Sequence, residues 1–126
     1  MIIGHGVDVV DIERFGRALS RTPSMGRRLF TPEELTDAQR AGDPVASLAA
    51  RFAAREAAMK AMGVGLGAFG FHDVAVHRPV GGVPSLRITG RAETLAAERG
   101  IDRWVVSLSH SRLVAMASVI AERTDV

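Results

Sequence analysis

The sequence predicts an α+β fold, with the helices in the first half of the chain and most of the strands in the second. Two capped helix starts, Thr31-Pro32 and Asp43-Pro44, precede residue 45. An Ala- and Met-rich stretch without Pro or β-branched residues then fills positions 51–62 and stops at Gly63. After residue 73 alternating apolar residues dominate, which is typical of strands.

The chain opens with a β-rich run at residues 2–10, whose two glycines are compatible with the close approach of another backbone. Asp11 is expected to cap a first helix, and Thr22-Pro23-Ser24 is expected to end it. The inward face of this helix carries Ile12, Phe15 and Leu19.

Thr31 predicts the N-cap of a second helix, with Pro32 at its first position and Glu34 completing a capping box. This helix is expected to end near residues 41–42. Asp43-Pro44 then starts a central helix over residues 44–62, and the Gly-rich residues 63–70 follow as a loop.

The charges of the central helix flank its apolar ridge instead of facing away from it. The ridge consists of Leu48, Phe52 and Met59. Arg51 and Arg55 lie along one side, and Glu56 and Lys60 along the other. The remaining circumference is nearly all alanine, which predicts a face that packs closely on another element. The helix alone leaves two interpretations open: a solvent face with an Arg51/Arg55 pair and a Glu56–Lys60 ion pair, or a functional edge.

The second half of the chain predicts strands at residues 73–78 and 85–89, joined by a Pro- and Gly-rich turn at 79–84. A short helix at 90–99 closes at Gly100, and two further strands follow at 104–109 and 113–120. The polar tail from Glu122 is expected to fray. Because no repeat or linker interrupts this pattern, residues 1–126 are predicted to form a single domain.

Composition excludes several classes of site and partner. The chain has no cysteine, so disulfides, thiolate metal sites and cysteine nucleophiles are excluded. No signal peptide and no membrane-spanning run is present, which predicts a cytoplasmic protein without a membrane partner. Fifteen arginines, one lysine and a net charge of +2 suit discrete anionic partners such as phosphates or an acidic protein. The balanced total and the single Trp argue against nucleic acid.

Asp8 and Glu56 are the two acids in the most apolar contexts. Carboxylate-only sites suit hard cations such as Mg²⁺, which takes one or two carboxylates beside waters and phosphate oxygens. Asp8 could instead cap the turn into the first helix. The stripe Arg14, Arg17 and Arg21 is either a docking surface or a solvated face.

The segment Ser107-Leu108-Ser109-His110-Ser111 does not form a catalytic triad, because adjacent residues of a turn cannot form that relay. It is either a polar loop that offers hydroxyls and an imidazole to a ligand or a plain hairpin turn. His5, His72 and His77 lack metal-site spacing and are expected to be structural or surface residues.

Four segments resemble, in order and spacing, the holo-(acyl-carrier-protein) synthases. They are residues 6–15 (GVDVVDIERF), 30–34 (FTPEE), 51–63 (RFAAREAAMKAMG) and 106–111 (VSLSHS). The resemblance covers essentially the whole chain. It implies a 4′-phosphopantetheinyl transferase fold, with helices packed on a small antiparallel sheet. The implied reaction is the Mg²⁺-dependent transfer of 4′-phosphopantetheine from coenzyme A to a serine of apo acyl carrier protein, with release of adenosine 3′,5′-bisphosphate.

The resemblance also implies roles for the central helix. Asp8 and Glu56 would bind Mg²⁺, and Glu56, directly or through a water, would be the candidate base for the serine. Lys60 would contact the phosphate and help the leaving group. Arg51 and Arg55 would bind coenzyme A phosphates.

Further positions complete the implied coenzyme A site: Gly82, Pro84, Ser109 and His110. The stripe Arg14, Arg17 and Arg21 would dock the acidic carrier protein. Active sites would form between subunits of a homotrimer, with Asp8 of one chain facing a neighbour's helix.

Two residues depart from the family pattern. Arg55 stands where the family has Lys, and Val83 stands where its Gly-Lys/Arg-Pro turn has a basic residue. Arg51 or Arg78 could compensate for Val83. The alternative function is a non-catalytic Arg-rich module that binds an acidic protein or a nucleotide without a metal. A weaker third hypothesis is a nucleic-acid-binding protein.

Overall fold

The structure, a computed structural model, describes residues 1–124 and has the predicted α+β architecture. Its elements are β1 (Ile2–Asp11), α1 (Ile12–Arg21), α2 (Met25–Leu29), α3 (Pro32–Gln39), α4 (Pro44–Met62), β2 (Val74–His77), β3 (Ser85–Ile88), α5 (Gly90–Glu98), β4 (Arg103–His110) and β5 (Val114–Glu122), with a 3₁₀ turn at Phe71–Asp73 before β2. No helix within the described residues has both the length and the apolarity needed to cross a bilayer.

The predicted N-caps of the helices are confirmed. The side chains of Asp11, Thr31 and Asp43 accept backbone N–H groups of α1, α3 and α4 over 2.8, 3.3 and 3.1 Å. The Glu34 carboxylate in turn accepts a hydrogen bond from the Thr31 N–H, which completes the capping box. The central helix α4 spans the predicted 44–62 and ends at Gly63, which adopts the left-handed conformation with φ 71°.

Two local predictions were wrong. The helix α2 lies directly after Thr22-Pro23-Ser24, where the sequence indicated only a break. The polar tail begins later than expected, because Glu122 still belongs to β5 and the Thr124 N–H donates to Asp102 over 2.9 Å. Residues 125–126 of that tail lie outside the described residues.

The strands form two antiparallel sheets. The larger has the order β1-β5-β4, and the smaller pairs β2 with β3. Helix α4 lies across one face of the larger sheet, where the alternate β5 residues Ala115, Ala117, Val119 and Ala121 are all buried beneath it.

The backbone of β1 runs in contact with α4. A Cβ added at Gly4 would lie 1.8 Å from the Ala61 carbonyl oxygen, and one at Gly6 would lie 1.9 Å from that of Ala57. Only glycine on the strand and alanine on the helix permit this separation. Both the alanine packing face and the close approach at the two glycines are therefore confirmed.

The opposite face of the larger sheet, here called the outer face, is uncovered. Several large apolar side chains on it are at least 36% exposed: Val7, Val9, Val105, Val114 and Met116. His5 Nε2 and Ser118 Oγ lie 3.0 Å apart on the same face. Contiguous apolar exposure of this kind usually marks an interaction surface.

Candidate functional site

Lys60 joins α4 to β1 at the point where Asp8 faces the helix. The Lys60 ammonium donates to the Val7 carbonyl oxygen over 2.9 Å and to Asp8 Oδ1 over 3.3 Å. Because the Lys60 side chain is 56% exposed, this ion pair adds at most about 1 kcal/mol to stability. Its main effect is to hold the Lys60 ammonium beside Asp8. The Glu56–Lys60 ion pair of the solvent-face interpretation does not form among the described residues, because Lys60 contacts the strand instead.

Asp8 lies inside β1, which continues to Asp11, and it pairs in register with Ala117 of β5. The strand around it is not buried on both faces, since Val9 is 55% exposed. The alternative in which Asp8 caps the first helix is wrong, because Asp11 is the cap. Asp8 is thus a half-buried acid directed toward α4.

Glu56 shares a groove of about 490 Å³ with Asp8. Partial burial raises the pKa of Glu56, and the negative charge of Asp8 raises it further, while Lys60 opposes both effects. Two carboxylates that repel each other in a partly desolvated groove favour a bound cation or a shared proton.

The donor set of this groove fits a magnesium ion. No group of three or more His, Asp or Glu side chains is placed to hold a metal in residues 1–124. Of the three acids that line this groove, Asp11 caps α1, which leaves Asp8 and Glu56 as the pair that could hold a cation. Two carboxylates leave most coordination positions to water and phosphate oxygens, which Mg²⁺ prefers. A closed zinc site would need four protein ligands.

The predicted basic stripe lies on the exposed side of α1, and Arg14 also lines the groove of Asp8 and Glu56. Arg17 is paired with Glu13 of its own helix over 2.8 Å. Arg14 and Arg21 form no ion pair with any described residue. The stripe therefore presents two unpaired guanidinium groups, of which that of Arg14 borders the groove of the carboxylates.

An apolar groove of about 450 Å³, which the sequence did not indicate, continues from the far side of Glu56. It is lined by Phe15, Ala18, Met25, Arg28, Leu29, Phe52, Leu66 and Phe71. The rings of Phe15 and Phe52 lie 5.5 Å apart, and those of Phe52 and Phe71 lie 6.5 Å apart. This groove was missed because α2, which supplies Met25 and Arg28, was not predicted.

A second cavity, of about 400 Å³, lies at the N-terminal end of α4. It brings together three residues that the resemblance assigned to coenzyme A, namely Arg51, Ser109 and His110, and adds Arg78. Arg51 is only 4% exposed and donates to the Val76 carbonyl oxygen over 2.9 Å. Burial is the largest cause that lowers the pKa of Arg51.

Arg55 cannot bind coenzyme A in this fold, so that prediction was wrong. Its guanidinium is fully buried, binds both carboxylate oxygens of Glu34, and donates to the Phe71 carbonyl oxygen over 2.8 Å. It also stacks 4.9 Å from the ring centre of Phe30. Burial alone would raise the pKa of Glu34, but the hydrogen bonds and charge of Arg55 outweigh it and lower that pKa. The interpretation of Arg51 and Arg55 as a solvent-facing pair was wrong for the same reason.

Gly82 and Pro84 lie in the turn between β2 and β3, where the Gly82 N–H donates to the Pro79 carbonyl oxygen over 3.0 Å. The first residues of this turn border a smaller cavity that also contacts Arg51. Gly82 and Pro84 line neither this cavity nor the larger one beside it. Val83, between them, is 81% exposed.

The predicted site residues thus form two separate groups in one chain. One group, at the contact between β1 and α4, consists of Asp8, Glu56 and Lys60. The other consists of Arg51 and the last residues of β4, Ser109 and His110. The groove of Asp8 and the cavity of Arg51 share no lining residue. Asp8 faces α4 of its own chain, so its contact with Lys60 does not need the neighbour's helix that we expected.

Comparison with known proteins identifies the family. The family model of the 4′-phosphopantetheinyl transferase superfamily matches residues 4–115. The chain is 51% identical over 123 residues to the holo-[acyl-carrier-protein] synthase of Streptomyces coelicolor, covering 96% of this chain and 98% of that protein.

Solved structures agree. The holo-[acyl-carrier-protein] synthase of Neisseria meningitidis superposes with a TM-score of 0.87 at 36% identity, covering 98% of this chain and 100% of that chain. The Helicobacter pylori enzyme in complex with coenzyme A superposes with a TM-score of 0.82 at 25% identity, covering 94% and 99%. A Bacillus anthracis synthase in complex with CoA (3′,5′-ADP) gives a TM-score of 0.80 at 29% identity, covering 98% and 99%. The chain therefore belongs to the 4′-phosphopantetheinyl transferase superfamily and has the α+β fold of the holo-(acyl-carrier-protein) synthases.

Proposed function

We propose that this chain transfers the 4′-phosphopantetheine group of coenzyme A to a serine of apo acyl carrier protein and releases adenosine 3′,5′-bisphosphate. The observation that carries the proposal is the meeting of Asp8, Glu56 and Lys60 beside one groove, in a chain about half identical to named holo-[acyl-carrier-protein] synthases. Complexes of relatives with coenzyme A support the donor.

The reaction forms a bond from the serine oxygen to the phosphorus that carries pantetheine and breaks the bond from that phosphorus to the bridging oxygen. Most of the catalysis in such a transfer is positioning and charge stabilisation. The Lys60 ammonium, held against β1, stabilises negative charge that develops on the leaving phosphate. Glu56, whose pKa is raised by partial burial and by Asp8, accepts the serine proton directly or through a water.

Asp8 and Glu56 would hold Mg²⁺, which supplies neutralisation of the diphosphate charge when bound. Their mutual repulsion, which adds to partial burial in raising the pKa of Glu56, supports this assignment. Protonation of Glu56 competes with a cation, so apparent Mg²⁺ affinity should fall as the pH is lowered.

The adenosine end of coenzyme A would occupy the cavity of Arg51, Ser109 and His110, with Gly82 and Pro84 in the adjacent turn. Because this cavity and the Asp8 groove do not meet in one chain, a complete site would combine the two groups from neighbouring chains. The apolar outer face supports such an assembly, which we propose to be a homotrimer with active sites at the subunit interfaces.

The exposed Arg14, Arg17 and Arg21 would dock an acidic helix of the carrier protein. Arg14 borders the groove of the carboxylates, so a partner bound on α1 would lie next to the transferring group. Complementary charge mainly raises the rate of encounter. We further propose that residues 1–126 act as one domain in the cytoplasm.

The test is transfer to apo carrier protein with coenzyme A and Mg²⁺, followed by the mass of the carrier protein. Asp8→Ala and Glu56→Ala should abolish the mass increment while circular dichroism shows a folded chain. Glu93→Ala is the matched control, because Glu93 is an exposed acid on α5, away from both groups. Retained transfer in Asp8→Ala or Glu56→Ala would overturn the assigned roles. Metal-independent binding of the carrier protein without release of 3′,5′-ADP would instead indicate the non-catalytic alternative.

A further inference from the structure

The Glu34 carboxylate forms more hydrogen bonds than a helix cap requires. As part of the capping box it accepts the Thr31 N–H over 3.0 Å. It also accepts the Val76 N–H of β2 over 3.0 Å, and both of its oxygens bind the Arg55 guanidinium of α4. Glu34 therefore joins α3, α4 and β2 through one buried charge.

These bonds belong to a closed ring of four residues, Glu34, Val76, Arg51 and Arg55, here called the Glu34 ring. Val76, whose N–H binds Glu34, accepts Arg51 Nη1 on its carbonyl oxygen over 2.9 Å. The carbonyl oxygen of Arg51 accepts Arg55 Nη1 over 3.2 Å, and the same Nη1 donates to Glu34 Oε2 over 2.9 Å. All four residues are buried. Because no water can replace a lost partner there, the ring holds each of its members in one position.

The Glu34 ring contains two positive charges, those of Arg51 and Arg55, and one negative charge, that of Glu34. Burial is the largest effect on the pKa of Arg51 and lowers it, the charge of Glu34 opposes this lowering, and the charge of Arg55 adds to it. Arg51 and Glu34 share no direct hydrogen bond among the described residues. The carboxylate therefore stabilises the Arg51 guanidinium through the Val76 peptide and through Arg55.

We propose that Glu34 positions Arg51 for coenzyme A through this ring, without contacting the substrate. The inference rests on the proposed function, in which the cavity of Arg51 holds the adenosine end of coenzyme A. Neither Glu34 nor Arg55 lines that cavity or the groove of Asp8, so both act through Arg51, which does line the cavity. Arg55 thus has an indirect part in coenzyme A binding in place of the direct one that the sequence predicted.

The test is calorimetry of coenzyme A on the full-length protein, combined with thermal unfolding. The main variant is Glu34→Gln with Arg55→Met, which removes both charges of the pair and leaves neither unpaired. Replacing a buried ion pair by uncharged groups of similar volume is often neutral for stability, so Tm should stay within about 5 °C of the native value. The dissociation constant of coenzyme A should nevertheless rise about ten-fold, because Arg51 has lost the charge that holds it. A purely structural role predicts native affinity in a variant of native stability.

Two single variants check the reasoning from the opposite direction. In Arg55→Lys an ammonium cannot reproduce the bidentate contact, so Tm should fall. The negative charge of Glu34 remains paired, however, so the dissociation constant should stay within about three-fold of the native one. Glu34→Asp keeps the charge but withdraws the oxygens by one methylene, and the dissociation constant should rise about five-fold.

The matched control is Glu33→Gln with Arg87→Met. It removes an exposed ion pair of 3.1 Å between α3 and β3, with the same change of charge, and should keep the native dissociation constant. A rise of equal size in this control would overturn the inference. A native dissociation constant in the Glu34→Gln, Arg55→Met protein or in Glu34→Asp would also overturn it.

Transfer to apo carrier protein separates this inference from the proposed function. If the native chain transfers phosphopantetheine and the double variant binds coenzyme A as tightly as the native chain, the role of Glu34 is refuted and the proposed function stands. If the native chain binds coenzyme A but transfers nothing, the proposed function fails, and the dissociation constants still decide the role of Glu34. A native chain that does not bind coenzyme A overturns both.

Discussion

Replacing Gly6 by alanine tests whether the contact between β1 and α4 builds the site. The added Cβ would lie 1.9 Å from the Ala57 carbonyl oxygen and 2.8 Å from its carbonyl carbon. Both neighbours are backbone atoms in the middle of a long helix, so neither can rotate away. The strand and the helix must therefore separate by roughly 1.5 Å before the added Cβ reaches an ordinary van der Waals contact.

This separation should be costly in both stability and activity. Overpacking a core typically costs about 1–3 kcal/mol, and a clash between two backbones belongs at or above the upper end of that range. For a chain of this size we expect a fall in Tm of roughly 10 °C. Asp8 is carried by the strand, whereas Glu56 and Lys60 are carried by the helix, so the same shift lengthens the 2.9 Å bond from Lys60 to the Val7 carbonyl. A misplacement of about 1 Å can reduce a rate about 100-fold.

The assay combines thermal unfolding with the initial rate of phosphopantetheine transfer, measured well below Tm. Gly65→Ala is the matched control, because a Cβ at Gly65 meets no atom within 4 Å and its φ is not positive. If Gly6→Ala melts within about 2 °C of the native chain and transfers at the native rate, the contact between β1 and α4 does not determine the geometry of the site.

Three further predictions follow from the described contacts. Arg55→Leu leaves a buried carboxylate unpaired and should lower the free energy of unfolding by about 3–5 kcal/mol. Arg87→Leu, which removes an exposed ion pair, should cost under about 1 kcal/mol in the same urea titration, and equal losses would contradict this account. Burial raises the pKa of Glu56, so between pH 4.5 and the raised pKa the folded chain keeps a proton on Glu56 that the unfolded chain releases. In the absence of metal, the free energy of unfolding should therefore fall as the pH rises through this range. In urea titrations across that pH range, the free energy of unfolding of Glu56→Gln should depend less on pH than that of the native chain. An equal pH dependence in the two proteins would contradict this prediction. Arg14→Glu combined with Arg21→Glu should raise the KM for apo carrier protein about ten-fold at low salt, with a smaller gap at high salt; a salt-independent KM would exclude electrostatic docking.

The central helix and its alanine face could be predicted because the signals are local. Asp43, Pro44 and Gly63 set the ends of α4 through a cap, a fixed φ and a left-handed residue. The absence of large side chains on one face predicted close packing, and the glycines of β1 were compatible with the close approach of another backbone, which proved to be that of α4. Each inference needed only residues within a few turns of each other.

The wrong predictions depended on distant contacts. The carboxylate of Glu34 lies 21 positions before Arg55 in the chain, and only the packing of α3 on α4 shows that it buries the guanidinium. Lys60 likewise contacts Asp8, which lies 52 positions away in the chain, and not Glu56, which is one turn away on the same helix. The short helix α2 has no side-chain cap, so it lacks a start signal that could be recognised in the sequence. The periodicity of apolar residues indicates which face of a helix is buried. It does not indicate which distant residue a charged side chain will pair with.

We propose that the group of Asp8, Glu56 and Lys60 catalyses the transfer of phosphopantetheine. It is tested most directly by mapping the modified residue of apo carrier protein by tandem mass spectrometry while the released nucleotide is quantified. We expect one phosphopantetheine on a serine hydroxyl for each adenosine 3′,5′-bisphosphate released by the native chain. Glu56→Ala should yield neither product. A carrier protein of unchanged mass after incubation with the native chain, coenzyme A and Mg²⁺ would contradict it.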